Sequence, residues 1–249
     1  MKKLGLIYGK NPVKEAILGG TTINKIYVQA TTKELYDIIQ LAKEKGIVVT
    51  ESDKNKLDTM VEGKNSQGIV ASVTDFVYAS IDDILAVAEE RGQAPFIVIL
   101  DKIEDPHNLG AIIRTCECMG VHGILIQKRN ACQVTDTVEK VAAGACTYVK
   151  VARVTNITES IRYLKEKNIW VYGLDMLGSS TLYETDFSGA VALVVGNEGE
   201  GISRLVKENC DMIVNIPMTG KINSLNASVS TAISIYEVVR QKNMTMGKA

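Results

Sequence analysis

Hydrophobic residues fall in short blocks along this chain, and the spacing inside each block names an element. In residues 1–75 the blocks alternate between strand and helix patterns. Leu6–Tyr8 reads as a short strand. Asn11 can cap a helix that opens on Pro12 and carries Val13, Ala16, Ile17 and Leu18 up to the Gly19-Gly20 stop. Lys25–Gln29 predicts a second strand. Thr32 can cap a helix with Leu35, Ile38, Ile39 and Ala42 on one face, ended by Gly46. A strand at Ile47–Thr50, a short helix at Asp53–Met60 and a strand at Gly68–Val73 complete a small α/β unit. The polar loop 63–68 before the last strand has two readings. It is either a plain surface connection or a contact to an RNA backbone through Lys64, Asn65 and Gln67.

Residues 76–94 hold one acidic amphipathic helix, Ile81–Arg91, and read as a linker. From Phe96 the pattern changes. FIVIL (96–100), GILI (123–126), VALVV (191–195) and MIVNI (212–216) are continuous apolar runs, which suit parallel strands covered on both faces. Helical patterns lie between them at Leu109–Met119, Val134–Val141, Ile157–Lys167, Ser203–Glu208 and Leu225–Arg240. Residues 95–249 therefore predict an open, mostly parallel α/β domain, whose ligands bind at the carboxyl ends of the strands. The unusual loops 101–108, 196–201 and 217–224 all fall there.

Composition narrows this picture. Hydrophobic residues make up 46% of the 249, enough for a real core, and no apolar run approaches the ~20 residues of a bilayer span. The first residues lack the apolar stretch of a signal peptide, which points to a cytoplasmic protein. Cys116, Cys118, Cys132, Cys146 and Cys210 are an odd number at spacings that match neither a zinc knuckle nor a redox pair, so they read as reduced thiols. With His107 and His122 the only histidines, no metal site is expected. A net charge of −1 does not advertise a nucleic-acid binder. Residues 1–75 have a small basic excess and 76–94 an acidic one, so any RNA must be held by local patches.

Three stretches can carry chemistry. In the first, Asn108 can cap the helix that follows, small Gly110, Ala111 and Thr115 allow close backbone approach, and Arg114 stands alone on an otherwise apolar helix. That arginine either snorkels to solvent or meets phosphate at the mouth of a site. In the second, glycines at 196, 199 and 201 follow a buried strand but match neither the dinucleotide nor the Walker A spacing, and two acids in the loop would repel phosphate. Glu198 is either an exposed turn carboxylate or orients a ligand amine or a neighbouring base. In the third, Ser224 either caps the last helix or belongs to a loop that holds a small ligand through its backbone.

Taken in order, NLGAIIR (108–114), VGNEGEGIS (195–203) and IPMTGKINSLNASVS (216–230) resemble the three signature motifs of the SpoU/TrmH-type RNA ribose 2′-O-methyltransferases. The likeness spans essentially the whole chain. IYGKNPVKEAI near the start is similar to the small RNA-binding domain of the branch that modifies a guanosine of 23S ribosomal RNA. Ser230, where the family often has alanine, is a mild departure.

The resemblance implies an L30e-like substrate-binding domain at 1–75, and a SPOUT catalytic domain at 95–249 whose α/β fold ends in a deep trefoil knot. It implies S-adenosylmethionine as methyl donor, with Gly196, Ile216, Met218 and Leu225 lining its pocket and Asn226 and Ser228 beside it. It implies a homodimer, which the broad apolar surface of Leu225, Val229, Ala232, Ile233, Ile235, Tyr236, Val238 and Val239 would suit. The reaction would be in-line transfer of a methyl group to a ribose 2′-oxygen, with Arg114, Asn108, Glu198 and Asn226 as catalytic residues. Relatives assign Arg114 to activating the hydroxyl. A guanidinium stays charged, so stabilising the developing oxyanion and holding the adjacent phosphate is the preferred role. Asn108 and Glu198 would position Arg114. RNA would be selected by Lys10, Lys14, Lys64 and Asn65. Transfer RNA as the target, or a silent RNA-binding protein of the same fold, are the alternatives.

Overall fold

The computed structural model describes residues 5–29, 35–74, 76–222 and 224–245, and divides into two units. The first comprises Met1–Val77 with Val134–Asp136. Its elements are β1 (Gly5–Tyr8), α1 (Lys10–Leu18), β2 (Ile23–Gln29), α2 (Tyr36–Glu44), β3 (Val49–Ser52), α3 (Lys54–Met60) and β4 (Ile69–Val73). The strands form one sheet in the order β1-β4-β2-β3, with β4 antiparallel to both its neighbours and β2 parallel to β3. Val13, Ala16 and Ile17 of α1 and Ile38 and Ala42 of α2 pack on Ile26, Val28, Ile69 and Ala71 of the sheet. The elements match the hydrophobic pattern, but one cap does not. The first helix starts at Lys10 with Gly9 before it at φ 91°, so Asn11 is inside the helix rather than its cap. Asp53 does cap α3, accepting from Lys56 N at 2.8 Å. Thr32 lies outside the described residues.

The second unit comprises Tyr78–Gln133 and Thr137–Ala249. It opens with α4 (Ile81–Glu90), which the linker reading placed between domains. Ser80 and Asp83 close its first turn as a reciprocal capping box. Its Ile84 and Ala88 are buried, and Ile84 lies in one cluster with Ile97, Ile99, Leu125 and Val194. Gly123 makes room for it, since a Cβ there would come within 2.4 Å of the Ile84 side chain. Helix α4 is thus part of the second unit's core and no linker. The acidic face misled because it is only the solvent side of a helix whose other side is apolar.

The remaining elements are β5 (Phe96–Asp101), α5 (Pro106–Cys118), β6 (Gly123–Gln127), α6 (Asp136–Ala142), β7 (Lys150–Val154), α7 (Ile157–Glu166), β8 (Trp170–Leu174), β9 (Ser180–Thr181), β10 (Val191–Gly196), α8 (Arg204–Asn209), β11 (Met212–Asn215) and α9 (Ala227–Thr245). Among the described residues the sheet runs β7-β6-β5-β10-β8-β11-β9, and every pair is parallel. From β5 the chain steps outward through β6 to β7, then crosses to build the other half, so the order reverses between β5 and β10. Strands β7, β8 and β9 were not foreseen. Lys150 and Arg153 interrupt the first, β8 mixes aromatics with Gly173, and β9 has two residues, so none shows a continuous apolar run.

Ile84→Ala should lower the unfolding free energy of the full chain by about 2–5 kcal/mol, measured by urea denaturation. An effect under about 1 kcal/mol would return α4 to the status of a linker.

Candidate functional site

Three chain-distant loops meet at the carboxyl ends of the strands, next to the reversal in strand order between β5 and β10. The loop after β5 begins at Asp101, which is fully buried. Its Oδ2 accepts from Ser203 N at 2.7 Å and so fastens the start of α8. Asp105 caps α5, accepting from His107 N at 2.6 Å and Asn108 N at 3.0 Å, with Pro106 in the first turn. Asn108, read as that cap, is instead inside the helix, and its side chain is free to turn towards the other loops. Gly110 beside it lets α5 close on α6, where a Cβ would meet Val138 O at 2.9 Å and Val141 Cβ at 2.6 Å.

After β10 the chain turns sharply. Asn197 Oδ1 accepts from Gly199 N at 3.0 Å and Glu200 N at 2.6 Å, and Gly201 N returns to Asn197 O at 3.0 Å. This turn folds back onto Gly196 so closely that a Cβ there would lie 2.0 Å from Gly201 C and 2.3 Å from Ile202 N. Only glycine fits at 196, and Gly201 needs its φ of 68°. A surface ion pair between Lys102 and Glu200 at 3.1 Å ties this turn to the first loop, and Glu200 raises the Lys102 pKa.

The third loop ends at α9, which begins at Ala227 rather than at Leu225. Its cap is Asn226, whose Oδ1 accepts from Ser228 N at 2.9 Å and Val229 N at 3.3 Å, and Ser224 stands outside the helix. The Asn226 amide spans the other two loops. Its Nδ2 donates to Asn108 Oδ1 at 2.9 Å and to Glu198 Oε1 at 2.6 Å. Glu198 Oε1 also accepts from Asn108 Nδ2 at 2.9 Å and Ala227 N at 3.2 Å. One carboxylate oxygen therefore collects three donors, one from α5 and two from the start of α9, where the helix dipole also favours negative charge.

Beside this junction lies a cavity of about 290 Å³. Gly196, Ile216, Met218 and Leu225 all line it, with Glu198 and Ser224. Asn226 and Ser228, expected against a ligand, are not in the lining. They close the helix end behind it, while Ala227 and Ser230 take the lining positions. Ser230 uses its hydroxyl on Ala227 O at 3.1 Å. The segment Leu174–Leu177 after β8 forms one wall and went unforeseen together with its strand. Within it, Asp175 is held by Lys207 at 3.0 Å and accepts from Leu177 N at 2.9 Å. Asp175, Glu198 and Glu200 are the charged lining residues, and no Lys or Arg is among them. Arg114 is exposed on α5 and makes no hydrogen bond or ion pair among the described residues, so neither Asn108 nor Glu198 positions it here. They are bonded to each other and to Asn226 instead.

Residues 95–236 match the SpoU rRNA Methylase family, and residues 6–79 match a region described as RNA 2′-O ribose methyltransferase substrate binding. The chain belongs to the SpoU rRNA methylase family. YacO of Bacillus subtilis strain 168, assigned to the TrmH family of tRNA/rRNA methyltransferases, is 43% identical over 239 residues, 95% of this chain and 96% of that protein. The crystal structure of the SpoU methyltransferase AviRb from Streptomyces viridochromogenes, in complex with AdoMet, has 23% identity and a TM-score of 0.62, covering 96% of this chain and 90% of its own. The TrmH/SpoU tRNA modifying enzyme of A. aeolicus has 31% identity and a TM-score of 0.56, over 63% of this chain and 79% of its own. The fold is thus the SPOUT α/β fold that the resemblance implied.

Gly196→Ala is expected to displace the 197–202 turn and to lower stability by about 1–3 kcal/mol, read from the denaturation midpoint. A variant as stable as the parent would show that the turn does not need this close approach.

Proposed function

We propose that this protein transfers a methyl group from S-adenosylmethionine to a ribose 2′-oxygen in RNA, with a guanosine of 23S ribosomal RNA as the target. The observation that carries the reading is the joining of Asn108, Glu198 and Asn226, one from each signature motif, at the lip of an acid-lined cavity. The cavity suits the donor. S-adenosylmethionine has a sulfonium and an ammonium against one carboxylate; of the lining acids, Asp175 and Glu200 are paired with Lys207 and Lys102, which leaves Glu198 as the acid with no cationic partner among the described residues to meet that charge. Gly196, Ile216, Met218 and Leu225 would hold it by apolar contact and backbone groups. The donor supplies an electrophilic methyl with a good leaving group, which leaves positioning and removal of one proton to the protein.

In this reading Glu198 keeps the three loops in register, and Asn108, Asn226 and Ser228 brace the lip. Arg114 faces solvent with all its donors unused. It would meet the RNA phosphate beside the target ribose and stabilise charge as the 2′-oxygen develops it.

The substrate-binding match at 6–79 supports RNA selection by the first unit. There Lys10 N donates to Gln67 Oε1 at 3.0 Å, which joins the start of α1 to the 63–68 loop. Lys14 lies one turn beyond Lys10, and Lys64 and Asn65 are exposed on the loop. A substrate-binding region ahead of the methylase region favours a ribosomal target. The likeness to the tRNA modifying enzyme of A. aeolicus supports transfer RNA as the second reading. A second copy of the chain would cover Val229, Ile233 and Tyr236, which form an exposed stripe on α9 at 45%, 39% and 59% exposure. A mass of one chain by light scattering would remove that part of the reading.

Arg114→Ala should retain donor affinity by calorimetry and lose methyl transfer by at least ~100-fold. Normal turnover would sink its assignment. The parent protein, given 23S ribosomal and transfer RNA from cells lacking it, should methylate a guanosine ribose in the ribosomal RNA. Modification of transfer RNA alone would favour the second reading. Paired Lys10→Glu and Lys64→Glu substitutions should weaken RNA binding at least ~10-fold with donor affinity unchanged, and undiminished binding would clear this surface of the role.

A further inference from the structure

The second unit has another cleft, of about 410 Å³, at the opposite end of its sheet. It is lined where α4 and α5 end and β5 and β6 begin, and by the last turns of α9. β5 spans six residues between this cleft and Asp101, so the two sites are roughly 17 Å apart along the strand. Nothing in the methyl-transfer reading uses it.

Its polar groups are arranged as donors. Phe96 N donates to His122 Nδ1 at 2.9 Å, so that nitrogen carries no proton. His122 Nε2 therefore carries one and donates to Gln93 Oε1 at 3.0 Å. Burial, with Arg91 and Lys242 nearby, lowers the His122 pKa to about 4 and keeps this neutral form in place. The chain of bonds holds the Gln93 oxygen on His122, and Gln93 lines the cleft. Lys242 is packed with its Nζ 5.3 Å from the Phe96 ring centroid and 3.4 Å from Ala94 O. Arg91 is exposed at the rim, and no Asp or Glu lines the cleft.

Three helix C-termini open here, those of α4, α5 and α9, and their dipoles work against an anion. Each amounts to roughly half a negative charge, against two full positive charges on Arg91 and Lys242, so the balance is about half a positive charge. The closing turns also spend the last carbonyls. Gly92 N and Gln93 N return to Glu89 O and Ala88 O, and Gly120 N and Val121 N to Glu117 O and Cys116 O.

We infer that this cleft is a second binding site, for the phosphate group of a nucleotide or of an RNA strand, held by Lys242, Arg91 and the Gln93 amide. Burial without a counter-charge costs the Lys242 ammonium part of its stability, lowering its pKa to about 8, and a bound phosphate would restore it. The inference is independent of the methyl-transfer reading, because it concerns the other end of the sheet.

The test is calorimetric titration of the full chain, saturated with S-adenosylmethionine, using adenosine, adenosine 5′-monophosphate and a short single-stranded oligoribonucleotide. Adenosine should not bind, and a phosphate-bearing probe should. Binding of the monophosphate identifies a free nucleotide as sufficient, and binding of the oligonucleotide alone identifies a strand. Lys242→Gln should weaken that binding at least ~10-fold and Lys242→Arg should keep most of it, as expected for loss of a charge-assisted bond. Donor affinity, titrated separately, should be the same in all variants. If Lys242→Gln disturbs donor binding, Arg91→Gln at the exposed rim decides in its place with the same expected loss. Absence of binding by both phosphate probes, or binding that neither substitution weakens, overturns the site.

Discussion

A single carboxylate oxygen, Glu198 Oε1, takes hydrogen bonds from the side-chain amide of Asn108 and, far from it in sequence, from the side-chain amide of Asn226 and the backbone N–H of Ala227. The rest of the site depends on that convergence. Glu198 is exposed, so water competes for every one of these bonds, and each contributes roughly 1 kcal/mol rather than the larger value of a dry pair. Their consequence is geometric. Asn108 and Asn226 also bond to each other, so the three side chains close a ring that fixes two loops and the start of α9 relative to one another. Asn226 serves both ends of its amide at once, with its nitrogen on the ring and its oxygen on the cap of α9. Moving α9 therefore breaks the ring, because the residue that caps α9 is a member of it.

That ring needs the backbone to arrive in the right place, and the strand order provides it. β10 lies between β5 and β8 in register, with Gly196 opposite Asp101, so the turns after both strands leave the sheet at the same level. Gly196 then allows the 197–201 turn to fold down against its own strand end, and buried Asp101 holds Ser203 beneath it. The apolar strand interiors fix the sheet, the sheet fixes the loop exits, and only then can three weak polar contacts set a lip. Energy flows in that order too, since burying Ile97, Ile99, Val194 and their neighbours dominates stability while the polar ring adds little.

This division explains what could be read from the chain alone. Long apolar runs announced β5, β6 and β10, because strands buried on both faces leave a continuous signal, and a shorter run announced the partly buried β11. The pocket residues Gly196, Ile216, Met218 and Leu225 were legible through motif resemblance, and all of them line the cavity. Strand β8 carries no such run, so the Leu174–Leu177 wall and Asp175 stayed hidden with it. Caps were misplaced for a physical reason. Asn108, Asn226 and Ser224 are equally good caps by residue type, but α5 starts three residues earlier on Asp105 and Pro106, and α9 starts on Asn226. Asn108 was taken by the ring, Asn226 was shared, and Ser224 was left in the loop. Arg114 is exposed, and the structure shows Asn108 and Glu198 bonded to each other and to Asn226 rather than to it.

The two ends of the sheet carry opposite chemistry, and this follows from how parallel strands and helices alternate. At the carboxyl ends of β5 and β10 the following helices present N-termini, which suit carboxylates. Glu198 indeed sits at the start of α9. At the amino ends the preceding helices present C-termini, which suit cations, and there Arg91 and Lys242 gather with a histidine held neutral between backbone and amide. An acid-lined cavity and a cleft lined by cations thus lie on the same unit, at opposite ends of one sheet, each set by the side chains that the helix ends favour. Their separation keeps a phosphate bound at one end from competing with a sulfonium at the other.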